Sequence, residues 1–320
     1  MLVLDSDLAN NIFKPHLKSF SLEKLFLYMQ IFSPIQQVHF STLNDVFVKR
    51  DDLIDPYISG NKWRKLKYIL ADVKAKGKIQ LVTFGGAYSN HLVATAAAAA
   101  RNNLKATAFV RGEQVENEML LICRLFGMKL IFTDRESYQN KQTLYETHFG
   151  ADQEAYFIDE GGASAAAVRG CAEVISELPT HFDHIFCAAG TGTTAAGLLK
   201  GINEQDLTTQ LHVVPVLKGG DFIKDEILNY EPNISKLELH TDYHFGGYAK
   251  TTPALLQFIK NFTAESGMLV DPVYTAKMFY ALTDLSQKGH FKKDAKILAI
   301  HTGGLLGILG MQDKLNEVLR

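Results

Sequence analysis

The residue whose type and position most directly suggest chemistry is Lys62. In Gly60-Asn61-Lys62-Trp63-Arg64-Lys65-Leu66-Lys67-Tyr68-Ile69-Leu70, the apolar stripe 66, 69, 70, 73 has helix spacing. Carried back one turn, that stripe reaches Lys62, so Lys62 is expected to point inward, unlike Lys67. An inward lysine is a nucleophile able to form an imine with a carbonyl group. Lys62, Arg64, Lys65 and Lys67 also crowd the positive end of the helix macrodipole. A nearby phosphate and an uncharged imine would relieve both conflicts. The competing reading is a solvated basic helix start with Lys62 snorkelling outward.

Three further segments carry possible chemistry. Gly85-Gly86-Ala87-Tyr88-Ser89-Asn90 leads into an alanine-rich helix, with Ser89 or Asn90 as N-cap and free amides suited to a carboxylate or phosphate. An ordinary capped helix after a tight turn has the same sequence. Gly190-Thr191-Gly192-Thr193-Thr194-Ala195 has the G-x-G-x-x-A spacing of dinucleotide sites. That reading demands an acid near the end of the following strand, and His212–Val216 runs into Leu217-Lys218-Gly219-Gly220 before Asp221 arrives. Threonine hydroxyls interleaved with bare amides suit one small phosphate better. Tyr248 follows Gly246-Gly247, and Tyr274 precedes a helix. A phenol serves as acid or base when its pKa falls or its proton passes along a network. The pairs His181/His184 and His240/His244 have metal-like spacing. Each lies on or against a predicted strand with no carboxylate in a helical frame, so no metal site is expected.

The elements that must position these residues follow from apolar periodicity. Strands are predicted at 46–48, 80–84, 106–110, 129–132, 155–158, 184–188, 212–216 and 296–300. Helices are predicted near 62–76, 90–102, 115–126, 137–149, 163–178, 195–201, 252–265, 275–288 and 305–319. The alternation predicts an α/β fold around mainly parallel sheets. The glycine-rich junctions 59–62, 85–90, 190–194 and 301–304 then fall beyond strand ends, where ligands of such sheets bind.

Composition excludes several functions. With 33 Lys and Arg against 35 Asp and Glu, no basic stripe suggests nucleic acid or a membrane surface as partner. Cys123, Cys171 and Cys187 form no C-x-x-C, which argues against a disulfide framework and for a reducing compartment. The longest apolar run, Leu92–Ala100, is too short to span a bilayer, and the first residues show no signal pattern. A cytoplasmic location is therefore expected.

Taken jointly, the motifs resemble the fold-type II pyridoxal-phosphate enzymes, the tryptophan synthase β-like group. They are most similar to the branch holding D-cysteine desulfhydrase and 1-aminocyclopropane-1-carboxylate (ACC) deaminase. The resemblance runs through Ser33-Pro34-Ile35-Gln36, Lys49-Arg50-Asp51-Asp52, Gly60 to Lys65, Gly85-Gly86 with Ser89-Asn90-His91, Thr191 to Thr194, Asp271-Pro272-Val273-Tyr274 and His301-Thr302-Gly303-Gly304. It implies that pyridoxal 5'-phosphate is held as an imine by Lys62, with Lys65 near its phosphate and Thr191, Gly192, Thr193 and Thr194 forming the phosphate cup. It further implies that Asn90 bonds the ring oxygen, that Ser89 meets the substrate carboxylate or assists proton transfer, and that Tyr248 and Tyr274 are the branch's two active-site tyrosines. The family fold implies a discontinuous large domain, 1–62 and 161–320, a small domain, 63–160, and a homodimer.

Departures from the branch bear on the substrate. Tyr88 replaces the glutamine of ACC deaminases before Ser-Asn. Thr275 stands where those enzymes carry a glutamate facing the pyridine nitrogen, and desulfhydrases carry threonine there. A carboxylate can keep that nitrogen protonated, as cyclopropane opening needs, whereas β-elimination succeeds without it. The expected reaction is β-elimination of a small D-amino acid, D-cysteine first, to pyruvate, ammonia and sulfide. The alternatives are ACC deamination to 2-oxobutyrate and a non-catalytic binder of the cofactor.

Overall fold

Short β-branched and apolar runs, each followed by a helix-period stretch, lay down two parallel sheets in a computed structural model. It describes residues 31–40 and 43–320, without the side chains of 43–45. The expectations placed on residues 1–30, no signal pattern and membership of the large domain, lie outside the described residues.

In chain order the strands are β1 (Ile35–Phe40), β2 (Leu43–Lys49), β3 (Gln80–Gly86), β4 (Lys105–Arg111), β5 (Lys129–Thr133), β6 (Ala155–Phe157), β7 (His184–Ala189), β8 (Gln210–Pro215), β9 (Leu237–Leu239) and β10 (Ile297–Ile300). The helices are α1 (Asn61–Ala75), α2 (Asn90–Arg101), α3 (Glu118–Leu125), α4 (Lys141–Phe149), α5 (Ala165–Ser176), α6 (Thr193–Glu204), α7 (Phe222–Leu228), α8 (Pro253–Ser266), α9 (Thr275–Gln287) and α10 (Gln312–Leu319). One sheet has the order β1-β2-β10-β7-β8-β9, and the other β5-β4-β3-β6. Among the described residues, only the β1–β2 pair is antiparallel.

All the predicted strands are present. Two strands and one α-helix of the described residues were not predicted: β1, which begins where the apolar pattern is weak, the three-residue β9, and the seven-residue α7. Elements that short hold too few residues to display a period. The predicted helix 305–319 divides into a 3-10 run, Leu305–Met311, and α10. Gly307 and Gly310 interrupt the first part, where glycine disfavours a regular helix.

Period-two alternation splits the larger sheet between two cores. Val46, Val48, Phe186, Val214 and Ala299 face α8 and α9. Ile185, Cys187, Leu211, Val213 and Ile300 face the opposite way, onto α5 and α6. Each such buried Val, Leu, Ile or Phe contributes about 1.5–3 kcal/mol relative to exposure. All three cysteines are buried and free. Among the described residues, no helix is long and apolar enough to cross a membrane. Residues 32–320 form one compact unit.

Two glycines set the position of α1. Gly60 has φ of 60°, and a Cβ there would lie 1.9 Å from the Thr302 carbonyl oxygen, so the chain before α1 passes directly against the end of β10. Gly170 in α5 lies so near α1 that its Cβ would fall 1.9 Å from the Arg64 carbonyl oxygen. Only a residue without a side chain permits either approach.

Candidate active site

The carboxyl ends of both sheets converge on one cavity of about 630 Å3. Its walls come from Ser89 and Asn90 beyond β3, Arg111 of β4, Glu160 and Gly161 beyond β6, Gly190 to Gly192 beyond β7, and Thr302 to Gly304 beyond β10. Lys62, Lys65, Thr194, Tyr248 and Tyr274 complete it. Four separately read glycine junctions therefore form one site, as parallel strands require when their ends share an edge.

Lys62 faces this cavity, as the helix stripe predicts. It is partly exposed to the cavity but far from bulk water. That burial, and then the charge of Lys65, hold its pKa well below the ordinary lysine range. Lys65 is buried and shifted down for the first of these reasons. The two ammonium groups share one protein acceptor, the Gly161 carbonyl oxygen, at 3.2 and 3.0 Å.

The four cations at the start of α1, expected from the sequence to face a single phosphate, do not all do so. The Arg64 guanidinium instead binds Asp51 at 2.5 and 2.7 Å and Glu177 at 2.8 and 2.9 Å. Lys67 binds Glu173 at 2.7 and 2.9 Å. Carboxylates of the chain thus offset two of the four charges, and Lys62 and Lys65 alone remain for an external anion.

The serine and threonine junctions differ from simple caps. Ser89 occupies the N-cap of α2, yet its side chain makes no capping hydrogen bond and lines the cavity beside Asn90. Helix α6 begins at Thr193 and not at Ala195 as read from the sequence. Gly192, at φ of 71°, is the N-cap. Thr193 and Thr194 therefore contribute first-turn N–H groups that have no partner within the helix. The Asn61 amide donates to Thr194 Oγ1 at 2.9 Å, tying α1 to this loop, and the Thr191 and Thr193 hydroxyls lie 3.2 Å apart. No acid closes a dinucleotide site: Asp221 opens α7 and does not line the cavity.

Tyr274 stands over Gly190, whose added Cβ would meet the ring at 3.1 Å, and its centroid is 6.1 Å from that of Tyr248. Burial raises the pKa of both phenols, and Tyr274 is raised further by its contact with Tyr248. Both are consequently proton donors near neutrality. Thr275 does not line the cavity; its hydroxyl accepts from the Asp271 backbone N–H at 2.8 Å. Thr193 is fully buried behind the loop surface. Tyr88 is half exposed, packs against Gly310 and stays outside the cavity wall.

Two residues were missed as separate groups. His91 Nε2 bonds the Thr83 hydroxyl at 2.8 Å, while its buried Nδ1 has no partner. Its pKa lies well below the usual range through burial and the adjacent Lys62 and Lys65. Asp271 is fully buried; its Oδ1 accepts from the N–H groups of Val273 and Tyr274, and its Oδ2 has no partner. The motif positions were visible in the sequence, but burial was not.

Burial pushes the Asp271 carboxyl up to about 7, against the pull of the Tyr274 and Val273 N–H groups and of Lys277. A carboxyl raised on folding adds stability below the unfolded value, near 4, and that contribution is lost as pH rises to about 7. Urea titrations should therefore show Asp271→Asn gaining on the wild type between pH 4 and 7. Parallel curves would contradict the raised carboxyl.

Comparison with known proteins agrees with this geometry. A family model described as pyridoxal-phosphate dependent enzyme matches residues 32–303. A putative ACC deaminase of Pyrococcus horikoshii is 34% identical over 292 residues, 86% of this chain and 89% of that protein. D-cysteine desulfhydrase of Salmonella paratyphi A is 29% identical over 286 residues, 81% of this chain and 87% of that protein. The crystal structure of an ACC deaminase homologue superposes with a TM-score of 0.80 at 32% identity, covering 89% of this chain and 93% of that one. The chain belongs to the pyridoxal-phosphate dependent enzyme family, and its cofactor is pyridoxal 5'-phosphate. The residues fit that group: two buried amino groups share one carbonyl, first-turn amides stand free at α6, and His91 Nδ1 and the Ser89 hydroxyl are uncommitted.

Proposed function

We propose that this enzyme eliminates the β-substituent of a small D-amino acid, D-cysteine first, and with water releases pyruvate, ammonia and sulfide. The observation that carries the choice of reaction is at position 275. A threonine stands there with its hydroxyl spent on the Asp271 backbone, so it offers no anion to hold a pyridine nitrogen protonated. Elimination asks least of such a sink because the departing thiolate takes the electron pair.

In this reading Lys62 holds the cofactor covalently, and Lys65 with the Thr191–Thr194 loop holds its phosphate. Asn90 bonds the ring oxygen. Bound pyridoxal phosphate supplies the electron sink that acidifies the substrate's α-C–H. Ser89 accepts the substrate carboxylate at the start of α2, where the helix dipole favours an anion. Lys62 Nζ, its pKa lowered by burial and then by Lys65, takes the α-proton as the β-substituent departs. Tyr274 and Tyr248, held protonated, face the leaving sulfur as hydrogen-bond donors. In the same reading the chain divides into a large domain, 1–62 and 161–320, and a small domain, 63–160, with the cofactor between them, a division that the separate six- and four-stranded sheets support. A homodimer in the cytoplasm completes the proposal.

ACC deamination is the second reading, favoured by the names of the relatives at 34% identity. Product assays separate the two. D-cysteine should yield sulfide and pyruvate faster than ACC yields 2-oxobutyrate. Formation of 2-oxobutyrate without sulfide would overturn the argument from Thr275.

A further inference from the structure

Away from the cavity, the larger sheet gathers histidines on one face. His184 starts β7, His212 lies in β8, Glu238 in β9, and His240 immediately follows β9. Strand alternation places them together: Phe186 and Val214 point to this face, and Leu237 and Leu239 to the other. His212 pairs directly with Glu238 in the parallel ladder. His290, between α9 and β10, completes the group from outside the sheet. None of the five lines the cavity.

The geometry points to a zinc site formed by His212 Nδ1, a Glu238 carboxylate oxygen and His290 Nε2, with His240 Nε2 the nearest donor for the fourth position. The ligand atoms of His212, Glu238 and His290 lie within 4.8 Å of one another. His212 Nδ1 is 3.5 Å from Glu238 Oε2, and His290 Nε2 is 3.2 Å from Glu238 Oε1. His240 Nε2 is 3.7 Å from Glu238 Oε1 and 2.9 Å from His212 Nδ1. Ligands about 2.0–2.2 Å from a tetrahedral zinc ion are separated by roughly 3.3 Å, and the separations of 2.9 to 3.7 Å, taken to one or the other Glu238 oxygen, lie near that spacing.

The surroundings prepare the ligands. His184 Nδ1 lies 2.9 Å from His212 Nε2, so with the His212 proton on Nε2 its Nδ1 lone pair faces Glu238. Phe186 stacks on the His212 ring at 4.5 Å and 5°, fixing its plane. The side chains of Glu238 and His290 are 38% and 35% exposed, which gives an ion a path in. Bound zinc would fasten the edge strand β9 and the 288–296 segment to the sheet. It would have no part in the reaction at Lys62.

The test uses untagged enzyme with its cofactor bound, freed of metal by a chelator and titrated with zinc against a chromophoric competitor. One equivalent should bind, and the thermal midpoint should rise with zinc but not with magnesium, since imidazole ligands suit zinc. His290→Ala and Glu238→Gln alter part-exposed side chains and should keep the cofactor's visible absorbance while losing at least about 100-fold in zinc affinity. Failure of the wild type to bind one equivalent, or equal affinity in both variants and the wild type, would overturn the site. The retained absorbance keeps this outcome separate from any failure of the catalytic proposal.

Discussion

Lys62→Ala protein is expected to lose the visible absorbance of the bound cofactor and at least about 1,000-fold in the rate of sulfide release from D-cysteine. The argument is one of charge as much as position. Of the four cations at the start of α1, Arg64 and Lys67 are held by carboxylates, and only Lys62 and Lys65 are left at the cavity. Lys65 donates to the Gly161 carbonyl beside the threonine loop, where the proposal has it meet the phosphate. Lys62 has its pKa lowered by burial and by Lys65, which suits it to the proposed roles of nucleophile and proton carrier. Lys67→Ala is the control, because that residue pairs with Glu173 outside the cavity and should leave both readouts near wild type. A Lys62→Ala protein that keeps its absorbance and its turnover would remove the basis of the proposed function.

The second large effect is expected on stability, from Arg64. Its side chain is 1% exposed and bridges Asp51, equally buried, to Glu177 on the turn after α5. Burial works against the Glu177 charge, but Arg64 and then Lys49 overcome it and hold the carboxyl at about 2. Arg64→Met keeps most of the volume and removes the charge, leaving Asp51 buried without its partner. Breaking a buried pair in this way costs about 3–5 kcal/mol. The urea midpoint should fall accordingly. The double variant Arg64→Met with Asp51→Asn should recover part of the loss, because the orphaned anion is gone. A double variant no more stable than Arg64→Met would assign the cost to packing.

Much of this was legible in the sequence, for a physical reason. The stripe at 66, 69, 70 and 73 turns Lys62 inward because helix geometry is local, and the glycine junctions mark strand ends because turns demand particular backbone conformations. What failed was also local in origin. Helix α6 starts two residues earlier than expected because Gly192 adopts a left-handed conformation that leaves the following threonines in the first turn. Thr275 carries the motif position, but the backbone of Asp271 claims its hydroxyl.

The sequence by itself determined the α/β order, the parallel sheets, the inward turn of Lys62 and the glycine-threonine loop beyond a strand end, since each depends on residues near one another in the chain. Only the tertiary structure decided which charges remain free. Glu173 and Glu177 reach α1 from 106 and 113 residues away and Asp51 from the 3-10 turn 13 residues before Arg64, and no spacing rule could pair them with Arg64 and Lys67. The histidines show the same limit. The pairs 181/184 and 240/244 have the right spacing but do not form a cluster: His181 lies 3.8 Å from Asp183, and His244 Nδ1 accepts from the Gly246 N–H. The group that does form joins three parallel strands and a later turn. Register between strands, set by packing of the whole sheet, brings those side chains to one face.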